Sequence, residues 1–221
     1  LRTIAYVDGY NFYHGLLKHT NYKWLDLRAL MADVLRSQDP ESELINVKFF
    51  TAMIKAALAR RKIDSTIAQD AYHRALALRG CEVILGQFTL SHGSAPRYVQ
   101  GTPADRDDRC EIWALGEKQT DVKVALQMYR DASLGQVDQI VLCTNDSDLS
   151  PSLAAIREDF PHIRIGVILP RPPSLTARKS GTLEGLAHWT RHAVREEELA
   201  KHQLPNRIPT RKKPIDKPSH W

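Results

Sequence analysis

The sequence predicts an α/β protein with a mostly parallel central sheet of about five strands. Three observations carry that reading. Five β-branched or aromatic runs recur along the chain, helical spacing fills most of the intervals between them, and 43% of the residues are apolar, enough for a real core. Strands alternating with helices imply βαβ units, so the sheet is covered on both faces. Right-handed crossovers then bring the carboxyl ends of the strands to one rim, where open α/β sheets hold their ligands.

The elements follow in order. Residues 3–7, Thr-Ile-Ala-Tyr-Val, read as a buried strand stopped by Asp8-Gly9. Helical stretches are expected at about 10–18 and 26–36, and a second strand at 44–53. From 58 to 79 Ile63, Ile67, Ala71, Ala75 and Leu78 have helical spacing, with Gly80 as the stop. Cys81–Phe88 is expected to form a third strand, and 91–110 a polar loop rich in Gly, Pro and Asp. A helix at 120–133 presents Val122, Ala125, Leu126 and Tyr129 as its apolar positions. Gln139–Thr144 is the fourth strand, 149–158 a helix, Ile163–Leu169 the fifth strand, and 183–200 a final helix.

At 221 residues the chain suits one domain, expected over 1–200, followed by a tail over 201–221. That tail holds Lys201, Arg207, Arg211, Lys212, Lys213 and Lys217 against Asp216 alone, which accounts for the whole net charge of +5. With Pro205, Pro209, Pro214 and Pro218 it reads as extended, basic and irregular, able to follow a phosphate backbone or simply to aid solubility. No run approaches a transmembrane helix, and the opening residues predict no secretory leader. Leu1 in place of an initiator Met suggests a start that is not the natural one. Three widely spaced cysteines, Cys81, Cys110 and Cys143, form no disulfide framework and suit a reducing, cytoplasmic setting.

The chemistry gathers on aspartates. Asp8 directly follows the first strand, Asp146 and Asp148 follow the fourth, and Asp121 lies in the first turn of the helix before that strand. Singly, each has an ordinary explanation: a turn at Asp8-Gly9, a helix start at Asp121, an N-cap at Asp148. Together they are different, because carboxylates converging without Lys or Arg repel one another unless a divalent cation neutralises them. Such donors suit Mg²⁺ or Mn²⁺, and the chemistry that follows is phosphodiester hydrolysis by a metal-activated water. Asn11 is placed either to orient Asp8 or to cap a helix. Thr144, Asn145 and Ser147 surround Asp146 with short hydrogen-bonding groups. Lys118 either meets a substrate phosphate or is a solvated surface charge.

Three ordered motifs, Val7-Asp8-Gly9-Tyr10-Asn11, Glu117-Lys118-Gln119-Thr120-Asp121-Val122 and Thr144-Asn145-Asp146-Ser147-Asp148-Leu149, resemble the NYN domain family, and more narrowly its LabA-like branch within the PIN-like nuclease superfamily. The run Gly80–Phe88 is similar to that family's central strand, and the likeness spans about residues 3–170. The resemblance implies a three-layer, Rossmann-like α/β/α fold and metal-dependent ribonuclease activity. It places Asp8, Asp121, Asp146 and Asp148 at the acidic positions, Asn11 at the polar position and Thr144 at the hydroxyl position. RNA is the expected partner on this ground alone, since the spacing does not separate RNA from DNA; by the same analogy a homo-oligomer is allowed. Two departures stand out. Many relatives carry a zinc-knuckle cysteine pair before the Glu-Lys motif where this chain has Cys110 alone, so no structural zinc is expected. Asn145 stands where the family often has Gly.

Other motifs fail on inspection. Tyr10 stands where a haloacid-dehalogenase motif needs a second Asp, and Glu111 where a P-loop ending in Gly116-Glu117-Lys118 would need glycine. His188 and His192 share a face of the expected last helix, but Trp189 replaces the Glu of a metalloprotease, so they read as surface histidines. The Trp and Tyr residues are scattered and predict no stacking platform. Two rival functions remain open: a non-catalytic RNA-binding or regulatory protein, and a phosphohydrolase of small phosphorylated substrates.

Overall fold

The computed structural model describes residues 1–59, 61–175 and 181–221. The chain opens with β1 (Arg2–Asp8), which turns at once into α1 (Gly9–Phe12) and a π-helical turn over Tyr13–Leu17. There follow α2 (Leu27–Gln38), β2 (Glu43–Thr51), α3 (Ile63–Leu78), β3 (Cys81–Leu85), β4 (Gln87–Pro96) and β5 (Arg109–Lys118). The second half comprises α4 (Thr120–Ser133), β6 (Gln139–Cys143), α5 (Ser150–Asp159), β7 (Arg164–Ile168), α6 (Gly181–Leu186), β8 (Trp189–Arg191) and α7 (Glu196–Lys201). Two short strands, β9 (Arg207–Ile208) and β10 (Ile215–Asp216), close the chain.

The main sheet runs β3-β2-β1-β6-β7-β8, and every pair in it is parallel. Strand order reverses between β1 and β6, so the carboxyl ends of these two neighbours flank the crevice that doubly wound sheets use for ligands. Alternation along β1 divides the core. Ala5 and Val7 face one apolar layer with Trp24, Leu30 and Leu76, while Ile4 and Tyr6 face the other with Met128, Leu153 and Ile156. This is the three-layer, PIN-like arrangement expected from the sequence. Among the described residues no helix is long and apolar enough to cross a membrane.

Four features differ from the sequence expectation. First, the third strand stops at Leu85, and Gln87–Pro96 pairs antiparallel with Arg109–Lys118, so both ends of the expected polar loop belong to a β-ribbon. The ribbon was hidden because much of it is exposed on both faces and so shows no alternating apolar pattern. Second, the expected last helix is broken: α6 ends at Leu186, and Trp189–Arg191 adds a sixth strand beside β7. The Trp189 ring takes the space over Gly166 and its Nε1–H donates to Gln139 Oε1 at 3.0 Å. His188 and His192 therefore share no helix face, and His188 Nδ1 accepts from the Ile165 amide at 2.9 Å.

Third, two helices are rotated from their predicted faces. In α4 Val124 and Met128 are buried while Val122 and Leu126 are 61% and 65% exposed; in α3 Ala75 is buried as expected, but Ile63, Ile67 and Leu78 point outward and Tyr72 and Leu76 inward. A buried charge explains α4: Asp131 turns to the sheet, where it accepts from Lys48 Nζ at 2.7 Å and Tyr6 Oη at 2.6 Å. Residue 60, inside the expected helix over 58–79, lies outside the described residues. Fourth, the basic tail is irregular yet returns to the body of the protein. Leu204, Ile208 and Ile215 are buried, Trp24 Nε1–H donates to the Pro205 carbonyl at 2.9 Å, and Trp221 lies within 6.3 Å of the Trp24 ring and 5.6 Å of Tyr72.

Candidate active site on the carboxyl rim

Asp8 is the last residue of β1 and is only 2% exposed. Its carboxylate is fixed by three donors: the Asn11 amide to Oδ1 at 3.0 Å, Asn11 Nδ2 to Oδ2 at 2.7 Å, and Thr144 Oγ1 to Oδ2 at 2.9 Å. Asn11 is not itself a cap: it lies inside α1, whose N-cap is Asp8, and its side chain instead returns to orient Asp8. Gly9 makes this turn feasible: a Cβ there would lie 2.6 Å from the Phe50 carbonyl on β2.

Thr144 follows β6 and is fully buried. Besides donating to Asp8, its hydroxyl accepts from the Asp146 amide at 3.0 Å, and Asp146 Oδ1 in turn accepts from the Asp148 amide at 2.9 Å. One hydroxyl therefore ties the ends of β1 and β6 together and sets the direction of the acidic loop. This engages Thr144 inside the protein, away from any substrate. Asn145 is likewise engaged, with Nδ2 donating to the Pro170 carbonyl at 3.1 Å across the mouths of β6 and β7. Ser147 and Lys118 are exposed on the rim side of the loop and at the end of β5 respectively.

Asp121 stands in the first turn of α4, exposed, and its carboxyl is pushed above the ordinary range by burial and by the charges of Asp8, Asp146 and Asp148. That shift brings all four sequence-predicted aspartates into one field. A fifth acid joins them. Burial, with the charges of Asp8 and Asp121, pushes the Glu117 carboxyl up against a hydrogen bond from Thr120 Oγ1 at 2.6 Å. Glu117 opens the second of the three motifs but does not stand out among the candidate acids, because the exposed β5 that places it shows no apolar alternation in the sequence. The turn between β5 and α4 passes through Gln119 at φ +72°, a left-handed conformation uncommon for a residue other than glycine.

The electrostatic balance is one-sided. Among the described residues, no Lys, Arg or His is ion-paired with Asp8, Glu117, Asp121, Asp146 or Asp148. Nor, among the described residues, are three His, Cys, Asp or Glu side chains gathered tightly enough to cage a metal ion. The preformed four-aspartate cage expected from the sequence is thus not drawn together, which like charges and the internal hydrogen bonds of Asp8 and Asp146 explain. The donor chemistry nonetheless fits a hard divalent cation. All five groups are carboxylates, and Mg²⁺ keeps several waters and needs only one or two of them directly. The two buried thiols are poor nucleophiles: burial pushes Cys81 up to about 12 and Cys143 well above its usual value.

The model of the NYN domain family matches residues 2–180. The chain belongs to the NYN domain family. Over its full length it is also 36% identical to 6-hydroxy-3-succinoylpyridine 3-monooxygenase HspA of Pseudomonas putida, covering 75% of that protein. A solved structure of a protein of unknown function from Vibrio parahaemolyticus superposes on this NYN protein with a TM-score of 0.52 at 18% identity, covering 92% of this chain and 96% of that one. That likeness shows the fold alone. The three motifs, with Asp8, Asp121 and Asp146-Ser147-Asp148, all fall inside the matched residues.

Proposed function

We propose that this NYN protein, of LabA-like type, is a cytoplasmic nuclease that uses Mg²⁺ or Mn²⁺ to hydrolyse phosphodiester bonds, with RNA as substrate. One observation carries the reading: Asp121 feels Asp8, Asp146 and Asp148 together, with no basic partner among the described residues to offset them.

Asp8, Asp121, Asp146 and Asp148 would hold the cation, and Glu117 adds to the field that attracts it. When bound, such a cation polarises the phosphoryl oxygen, lowers the pKa of water and steadies the leaving oxygen. The chain's own residues supply position. Asn11 and Thr144 lock Asp8 in one rotamer, and Thr144 also sets the Asp146 loop, so the two ends of the cluster keep a fixed separation. Lys118 and Ser147, both exposed, would meet substrate phosphates.

Incubation with RNA in Mg²⁺, Mn²⁺ or chelator tests this. Cleavage is expected only with metal, and Asp8→Asn or Asp146→Asn should lower it by at least about 100-fold, the scale of losing one preorganised electrostatic contact. Full activity in both folded variants would refute the reading. A second reading rests on the identity to HspA across the whole chain. In it the same rim supports oxygenation of a hydroxypyridine, and its mark is oxygen uptake that requires both 6-hydroxy-3-succinoylpyridine and an electron donor.

A further inference from the structure

A small aromatic array, separate from the Trp24, Tyr72 and Trp221 cluster, stands two residues along the chain from Asp8. Tyr10 is half exposed, and the His14 ring lies against it at 4.3 Å between centroids with a 32° tilt. Tyr13 closes the array edge-on to His14 at 5.3 Å. These rings ride on the segment that carries Asn11, so Tyr10 sits between Asp8 and the residue that clamps it.

The segment is built to hold still. Phe12, Leu16 and Leu17 are buried in the core, leaving Tyr10, Tyr13 and His14 on the outer side. After α1 the backbone widens into a π-helical turn, a feature frequent at functional sites. Gly15 lets that turn press on the Pro170 carbonyl, which also accepts from Asn145 Nδ2. The backbone that carries the rings is therefore held beside Pro170, and Tyr10 is backed by the His14 ring, which limits the freedom lost when something stacks on it. Burial, Lys18 and His19 together lower the His14 pKa, which favours the uncharged ring.

We propose that Tyr10 and His14 form a stacking floor that receives one planar heteroaromatic ring of the substrate beside Asp8. This deepens the proposed function and rests on its placing of the reacting centre at the acid cluster. Two sources share the chemistry: a nucleobase of RNA, or the pyridine ring of a free small molecule. Stacking of a ring on an aromatic side chain changes affinity on the order of 10-fold.

The test measures binding by the whole chain in chelator, so no cleavage enters it and a failure of the nuclease reading remains separately visible. One arm uses a short RNA and a set of copies each lacking one base; the other uses 6-hydroxy-3-succinoylpyridine. Tyr10→Ala should weaken a ring-bearing ligand on the order of 10-fold and leave the copy lacking the stacked base unaffected, while Tyr10→Phe retains affinity. The arm that responds identifies the source of the ring. Equal losses for intact and base-lacking RNA with no effect on the pyridine, or no ring-dependent binding in either arm, would overturn the stacking floor.

Discussion

Replacing Lys48 with Met tests how the protein holds the helix that carries Asp121. Lys48 and Asp131 form an ion pair at 2.7 Å with side chains only 7% and 2% exposed. Asp131 also accepts from Tyr6 Oη at 2.6 Å and Gln127 Nε2 at 2.9 Å. Breaking one side of a buried pair costs about 3–5 kcal/mol, because the remaining charge is left without its counterion. Two neutral donors stay on Asp131, so the expected cost lies at the lower end, about 3 kcal/mol. For a chain of this size that lowers Tm by about 6–12 °C. Thermal and urea unfolding followed by circular dichroism give the number. The double variant Lys48→Met with Asp131→Asn should recover most of the loss, since the neutral amide leaves no buried charge and its oxygen still accepts from Tyr6. A single variant within about 1 kcal/mol of the parent, or a double variant as unstable as the single, would refute the reasoning.

Two further outcomes follow from the core. Burial lowers the His73 pKa from 6.5 to about 4, so between these values the unfolded chain takes a proton that the folded chain refuses. Stability should therefore fall as pH drops from about 6.5 to 4, by at most roughly 3 kcal/mol, and His73→Phe should flatten that slope in urea titrations. Trp221→Ala removes ring contacts to Trp24 and Tyr72 and should cost about 1–3 kcal/mol by thermal unfolding, whereas a dangling tail would show no change.

The sequence was most legible where strands are buried on both faces. The runs at β1, β6 and β7 are nearly continuous and apolar, so their order and the rim they share follow directly, and Asp8, Asp146 and Asp148 come with them. Partly exposed elements were not legible. The ribbon of β4 and β5 lacks a buried face to impose alternation, and β8 is only three residues long. The face of α4 was misread because an inward aspartate, satisfied by Lys48 from a distant strand, looks polar and therefore outward in a one-dimensional pattern. Similarly, nothing in the spacing told that Thr144 and Asn145 serve the frame of the site, since their partners Asp8 and Pro170 are remote in the chain.

The central claim is that the carboxylates of the rim meet around a divalent cation. Crystals grown with Mn²⁺ and examined by anomalous scattering test it directly. The account predicts a peak about 2.0–2.2 Å from carboxylate oxygens of Asp8 or Asp146, with Asp121 bound directly or through a water, and its loss in Asp8→Asn. A rim without a peak at saturating Mn²⁺, or a peak unchanged in that variant, would contradict it.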